Sequence, residues 1–116
     1  MHRTRVSTSW LLAIALLCPV ALAAAQDAEQ VKKGEGVYAA QKCSVCHAIA
    51  GTGGKNLPLD GVGGKLSAAD IRSWIVSPKE MTDKTKSTKK PPMPDRYGKL
   101  PAADVDALVA YMVSLK

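Results

Sequence analysis

Cys43-Ser44-Val45-Cys46-His47 is the stretch on which the reading of this chain turns. Two thiols stand one helical turn apart, and an imidazole follows at once. A bare C-x-x-C also suits a redox dithiol, a structural disulfide or half of a zinc site. A dithiol oxidoreductase lacks its βαβ setting here, and zinc lacks two ligands, because His47 is the only histidine besides His2. Thiols at this spacing can add to the two vinyl groups of a haem while the next residue presents its imidazole to the iron. The pentapeptide therefore reads as a covalent attachment site for one haem c.

Attachment of that kind takes place outside the cytoplasm, and the start of the chain fits export. His2, Arg3 and Arg5 form a basic beginning, Trp10 to Ala25 run apolar apart from Pro19, and Ala23-Ala24-Ala25 ends the run with small residues. As a helix this run covers only about 24 Å of a roughly 30 Å hydrocarbon core, so it reads as a cleaved signal peptide over 1–25 rather than an anchor. Cys18 follows Leu17, which does not suit a lipidated cysteine, and it leaves with the signal. The domain is then 26–116, the location periplasmic, with no stable membrane insertion after cleavage.

Composition narrows the rest. The 116 residues are 47% apolar, yet they include no Phe and only two Trp and three Tyr. A single domain of this size hides only about 60–68% of its unfolded surface, so the aromatic shortage leaves the core short of bulk, and haem is the natural filler. The net charge of +6 is mild and dispersed, without the basic blocks interleaved with aromatics that would call for nucleic acid.

Past Gln26 no strand-like alternation appears, and three stretches have helical spacing, so the expected class is all-α. Ala28 to Lys42 is the first helix; it carries Gly34 and Gly36, each costing about 1 kcal/mol relative to Ala, which suggests that one of them lets another helix cross closely. Ser67-Ala68-Ala69-Asp70 has capping-box form, with Leu66 and Ile71 placed for a hydrophobic staple; Ile71, Trp74 and Ile75 share a face, and Pro78 ends this second helix near Val76. The third runs from about Pro101 to Lys116 with Val105, Leu108, Val109 and Met112 as its buried stripe. Between them, Gly51 to Lys65 and Ser77 to Leu100 read as long irregular loops, which in a small domain need a purpose. The glycine-lysine runs in the first of these lack the spacing and the preceding strand of a phosphate-binding loop.

The three methionines past the attachment site differ in setting. Met112 belongs to an apolar helical stripe and reads as core, and Met81 sits in a polar setting, Lys79-Glu80-Met81-Thr82. Met93 stands between Pro91, Pro92 and Pro94, which fix φ and stiffen the segment, so its thioether can be presented with little entropy left to lose.

These features together resemble the class I c-type cytochromes over residues 28 to 116. The resemblance rests on Cys43 to His47, Leu57-Pro58-Leu59, the Leu66-to-Pro78 helix with Trp74-Ile75, the Pro91-Pro92-Met93-Pro94 loop and the closing helix. It implies three or more helices wrapped around one covalently attached haem, with His47 and Met93 as axial ligands. It also implies that Pro58 supplies the carbonyl that accepts the free ring N–H of His47, unless it is a plain loop proline. Trp74 would point its indole at a haem propionate, with core packing as the alternative. Tyr97 would line the loop near Met93 or stand exposed. Many members carry an aromatic four residues before the first haem cysteine. Tyr38 lies five before Cys43, which leaves open how the first helix meets the last.

With both axial positions filled there is no site for substrate, so the expected role is a diffusible electron carrier cycling Fe(III)/Fe(II), not an enzyme; the alternative is a small haem subunit of a larger oxidoreductase complex. Lys79 to Lys90 holds five lysines, among them Lys84, Lys86, Lys89 and Lys90, against Glu80 and Asp83. Positive charge beside the haem would steer a monomeric carrier onto redox protein partners with acidic docking surfaces, such as an oxidase, reductase or dehydrogenase.

Overall fold

Capping and proline chemistry divide the second half of the chain into helices. Ser67 accepts a hydrogen bond from the Asp70 amide at 3.1 Å and starts α3 (Ala68–Val76), as the sequence predicts. At its end the Ser77 amide bonds to the Ser73 carbonyl at 2.8 Å, and Pro78 opens a new helix, α4 (Pro78–Thr85), from its first turn, where a missing N–H costs nothing. By its sequence pattern all of Ser77–Leu100 reads as irregular. The helix inside it was hidden because its polar composition shows no apolar stripe, only Met81 pointing inward.

The structure, a computed structural model, describes residues 19–116, with side chains from Asp27 onward; most of the expected 1–25 segment, Cys18 included, lies outside the described residues. The first helix is α1 (Pro19–Ala40). It releases the chain at Lys42, whose left-handed φ of 57° starts a 3-10 turn over Cys43–Val45. Next come β1 (His47–Ile49), β2 (Thr52–Gly53) and β3 (Leu57–Pro58), then the short α2 (Val62–Lys65). They form a small sheet of order β2-β1-β3: β1 meets β2 antiparallel and β3 in parallel, with His47 opposite Leu57 and Ala48 opposite Pro58. Strands of two or three residues are too short to show alternation in the sequence. The protein remains helical in class.

The last helix, α5 (Ala102–Ser114), buries Val105, Leu108, Val109 and Met112, the stripe expected of it. It also buries Ala107 completely, because α1 crosses there. At the crossing Gly34 faces Ala107, and a Cβ at Gly34 would stand 2.7 Å from both the Ala107 carbonyl carbon and Tyr111 Cβ. Gly36 faces open space, so Gly34 is the glycine that permits the close approach. Beside it the Tyr38 and Tyr111 rings meet edge to face with centroids 5.7 Å apart. The extra residue between Tyr38 and Cys43 therefore leaves the α1–α5 packing intact. Ile71 and Ile75 of α3 pack with Tyr38, Tyr97 and the α5 stripe in one buried cluster. No helix among the described residues is long and apolar enough to cross a membrane.

Candidate haem site

The 3-10 turn sets the two thiols. The Cys46 amide bonds to the Cys43 carbonyl at 3.2 Å, so residues 43 and 46 fall one above the other, and both thiols are free. Burial pushes the Cys43 thiol up, with the Arg96 guanidinium partly opposing it, so this thiol is protonated at neutral pH.

His47 leaves the turn as the first residue of β1. Its Nδ1 lies 2.9 Å from the Leu57 carbonyl oxygen. A carbonyl can only accept, so Nδ1 carries the proton and Nε2 keeps the lone pair a metal needs. The partner is thus Leu57 and not Pro58. Successive carbonyls along a strand point to opposite sides, so with Leu57 turned toward His47 in the parallel pair, Pro58 is turned away. Pro58 is exposed and borders neither hollow described below. A second clamp, which the sequence did not suggest, comes from α1: the Tyr38 hydroxyl donates to the His47 carbonyl at 3.2 Å. Burial, first of all, pushes Tyr38 up to about 12, so its hydroxyl stays a donor throughout the physiological range.

Between α3, α5 and the 86–94 segment lies a cavity of about 280 Å³. Cys43, His47, Trp74 and Met93 all line it, and Ile71, Ile75, Leu108 and Met112 supply apolar walls. A second hollow of about 180 Å³ is bordered by Cys43, Cys46, His47 and Met93, so the second thiol reaches the same region from the other side. Tyr97 is buried and borders both hollows, its hydroxyl accepting from Arg96 at 2.9 Å. Met81, set among polar neighbours in the sequence, is buried on the inner side of α4, yet it does not line the cavity. Its neighbours in sequence are polar, but a helix turns only one residue in three or four inward.

The donor set suits a haem better than a bare ion. Among the described residues no group of three or more His, Cys, Asp or Glu side chains could hold a metal alone. One imidazole and one thioether offer two donors, enough for an iron whose other four positions are filled by a macrocycle. Free thiols at the cavity edge and an apolar interior complete the fit to a covalently attached porphyrin.

Comparison with curated proteins and with solved structures gave no match. The family model described as Cytochrome c matches residues 31–116. That span runs from α1 through both thiols and the cavity to the end of α5, and the chain belongs to the cytochrome c family, whose members carry covalently attached haem c and serve as electron carriers.

Proposed function

We propose that this protein is a single-haem electron carrier acting outside the cytoplasm, with His47 and Met93 as axial ligands. The observation that carries this reading is the shared cavity: a histidine with its Nδ1 already engaged and a proline-braced methionine border the same apolar space. When bound, the haem supplies a one-electron Fe(III)/Fe(II) couple.

The residues around it tune and protect that couple. Leu57 fixes the ring orientation and tautomer of His47 and raises its basicity as a ligand. A thioether from Met93 would favour reduced iron and raise the potential relative to a second imidazole. Apolar walls exclude water, which favours the less charged reduced state. With His47 and Met93 both holding the iron, no position would be left open for a substrate, so electron transfer is the role these residues would suit. Trp74 lines the cavity, which supports its assignment to a haem carboxylate.

The basic, apolar, alanine-ended run at residues 1–25 supports export to the periplasm and cleavage. Lys84, Lys86, Lys89 and Lys90 are exposed, and Lys89 borders the cavity, whereas Lys79 is held by Asp83 at 3.0 Å. Their charge supports docking of a monomeric carrier onto a redox partner with an acidic surface.

The ligand assignment is tested in the purified ferric holoprotein. Met93→Ala is expected to abolish the near-infrared sulfur-to-iron band, and Met81→Ala to keep it. Loss of the band in Met81→Ala with its retention in Met93→Ala would exchange the two roles.

A further inference from the structure

We propose that Asp60 is a positioning residue for the iron ligand: its carboxylate locks β1 against β3 and so keeps the Leu57 carbonyl on the His47 ring. The proposal rests on the reading of His47 as an axial ligand and goes beyond it by naming what holds that ligand's own partner in place.

The His47 ring is oriented by a hydrogen bond to a carbonyl of another strand, so its orientation depends on how β1 and β3 are registered. That register has little support of its own. β1 has three residues and β3 two, and the pairing runs over His47 with Leu57 and Ala48 with Pro58. Past the pair, the Leu59 amide donates to the Ala48 carbonyl at 2.8 Å. In a parallel ladder the next bond would run from the Ala50 amide to the Leu59 carbonyl. Here the Leu59 carbonyl accepts from the Val62 amide at 3.1 Å instead, because the chain is already turning into α2. The Ala50 amide donates to Asp60 Oδ1 at 2.8 Å. A side-chain oxygen thus stands in for the backbone acceptor that the turn removes, and it extends the ladder by one bond.

Both strands bend away beside this bond. Ala50 is left-handed at φ 51° and Gly51 follows at 80°, while Gly61 takes 74° immediately after Asp60. Two diverging turns at the end of so short a pair favour its parting, and the Asp60 bridge opposes that. An ionised carboxylate accepting from an amide makes one of the stronger hydrogen bonds. Among the described residues no ion pair engages this carboxylate. Asp60 is also exposed, so replacing it leaves the buried core filled. The consequence for the site is chemical. A firm bond from Nδ1–H to Leu57 raises the basicity of the imidazole as a ligand and favours ferric iron, so loosening it raises the reduction potential.

The test uses the holoprotein and reads two quantities, the reduction potential and the rate at which the His47 ring N–H exchanges with solvent, followed by NMR. Asp60→Ala removes the acceptor and is expected to raise the potential and to speed exchange by about two- to tenfold, the range that one lost hydrogen bond corresponds to. Asp60→Asn removes the charge but keeps Oδ1 as acceptor, and is expected to match wild type in both. Asp60→Leu, which removes the acceptor but not the bulk, carries the same expectation as Asp60→Ala should that variant not fold. If the acceptor-free variant melts lower yet leaves potential and exchange unmoved, Asp60 is structural only and the proposal fails. If Asp60→Asn moves them as far as Asp60→Ala, charge and not the bridge is responsible, and the proposal fails as well. Failure of the ligand reading looks different: the His47 ring protons of the wild-type ferric protein would then lack the large paramagnetic shifts of an iron ligand.

Discussion

Replacing Gly34 by alanine should loosen the junction on which the haem site hangs, while the same change at Gly36 should strengthen the helix. In an exposed helix interior Gly→Ala gains about 0.5–1 kcal/mol. Gly36 faces open space, so the whole gain should appear, and melting should rise by roughly 2–8 °C for a domain of this size. At Gly34 the new Cβ would lie 2.7 Å from Tyr111 Cβ and from the Ala107 carbonyl carbon, against 3.4 Å or more in ordinary contact. The helices would have to part by at least about 0.7 Å, and a carbonyl inside a helix cannot rotate away. Overpacking of this kind costs about 1–3 kcal/mol, so the net effect is a loss of about 1–2 kcal/mol and a fall of roughly 4–16 °C. Moving α1 also stretches the 3.2 Å bond from Tyr38 to His47. The assay is thermal unfolding of the holoprotein followed by far-ultraviolet circular dichroism and by haem absorption. If both variants melt at or above the wild-type temperature, helix propensity alone governs α1, and the close crossing is refuted.

Charge reversal at Lys84, Lys86, Lys89 and Lys90 should slow electron transfer to the natural partner at low ionic strength and flatten its salt dependence, and stopped-flow rates unchanged at low salt would exclude docking there. Tyr38→Phe keeps the ring against Tyr111 and removes only the hydroxyl, so near pH 7 it should cost about 0.5–1.5 kcal/mol. Tyr38 titrates near 12 in the folded state and near 10 when unfolded, so the stabilisation from its buried neutral form is complete below pH 10 and is lost as pH rises from 10 to 12. Denaturant unfolding across that range should show a shallower alkaline loss in Tyr38→Phe than in wild type. Without haem the chain should be largely unfolded. An unfilled cavity of about 280 Å³ costs on the order of 7 kcal/mol at most, comparable with the whole stability of such a domain, and a cooperatively melting apoprotein would contradict this.

Chemistry confined to a few neighbouring residues was legible in the sequence. The thiol pair with its histidine, the Ser67 cap of α3, the Pro78 break and the apolar stripe of α5 each depend on spacings shorter than two helical turns, and each stands where the sequence places it. Haem attachment and the helical class follow from these local terms. What tertiary structure alone decided depends on register between distant segments. A shift of one residue between β1 and β3 turns the carbonyl that meets His47 from Pro58 to Leu57. Which of two glycines faces α5, whether the Tyr38 hydroxyl reaches His47, and which hydroxyls of α4 line the cavity are likewise set by how helices cross. Local spacing determines which face a residue occupies along its own helix. Only the packed fold determines what stands opposite, because that partner comes from residues 9 to 77 positions away.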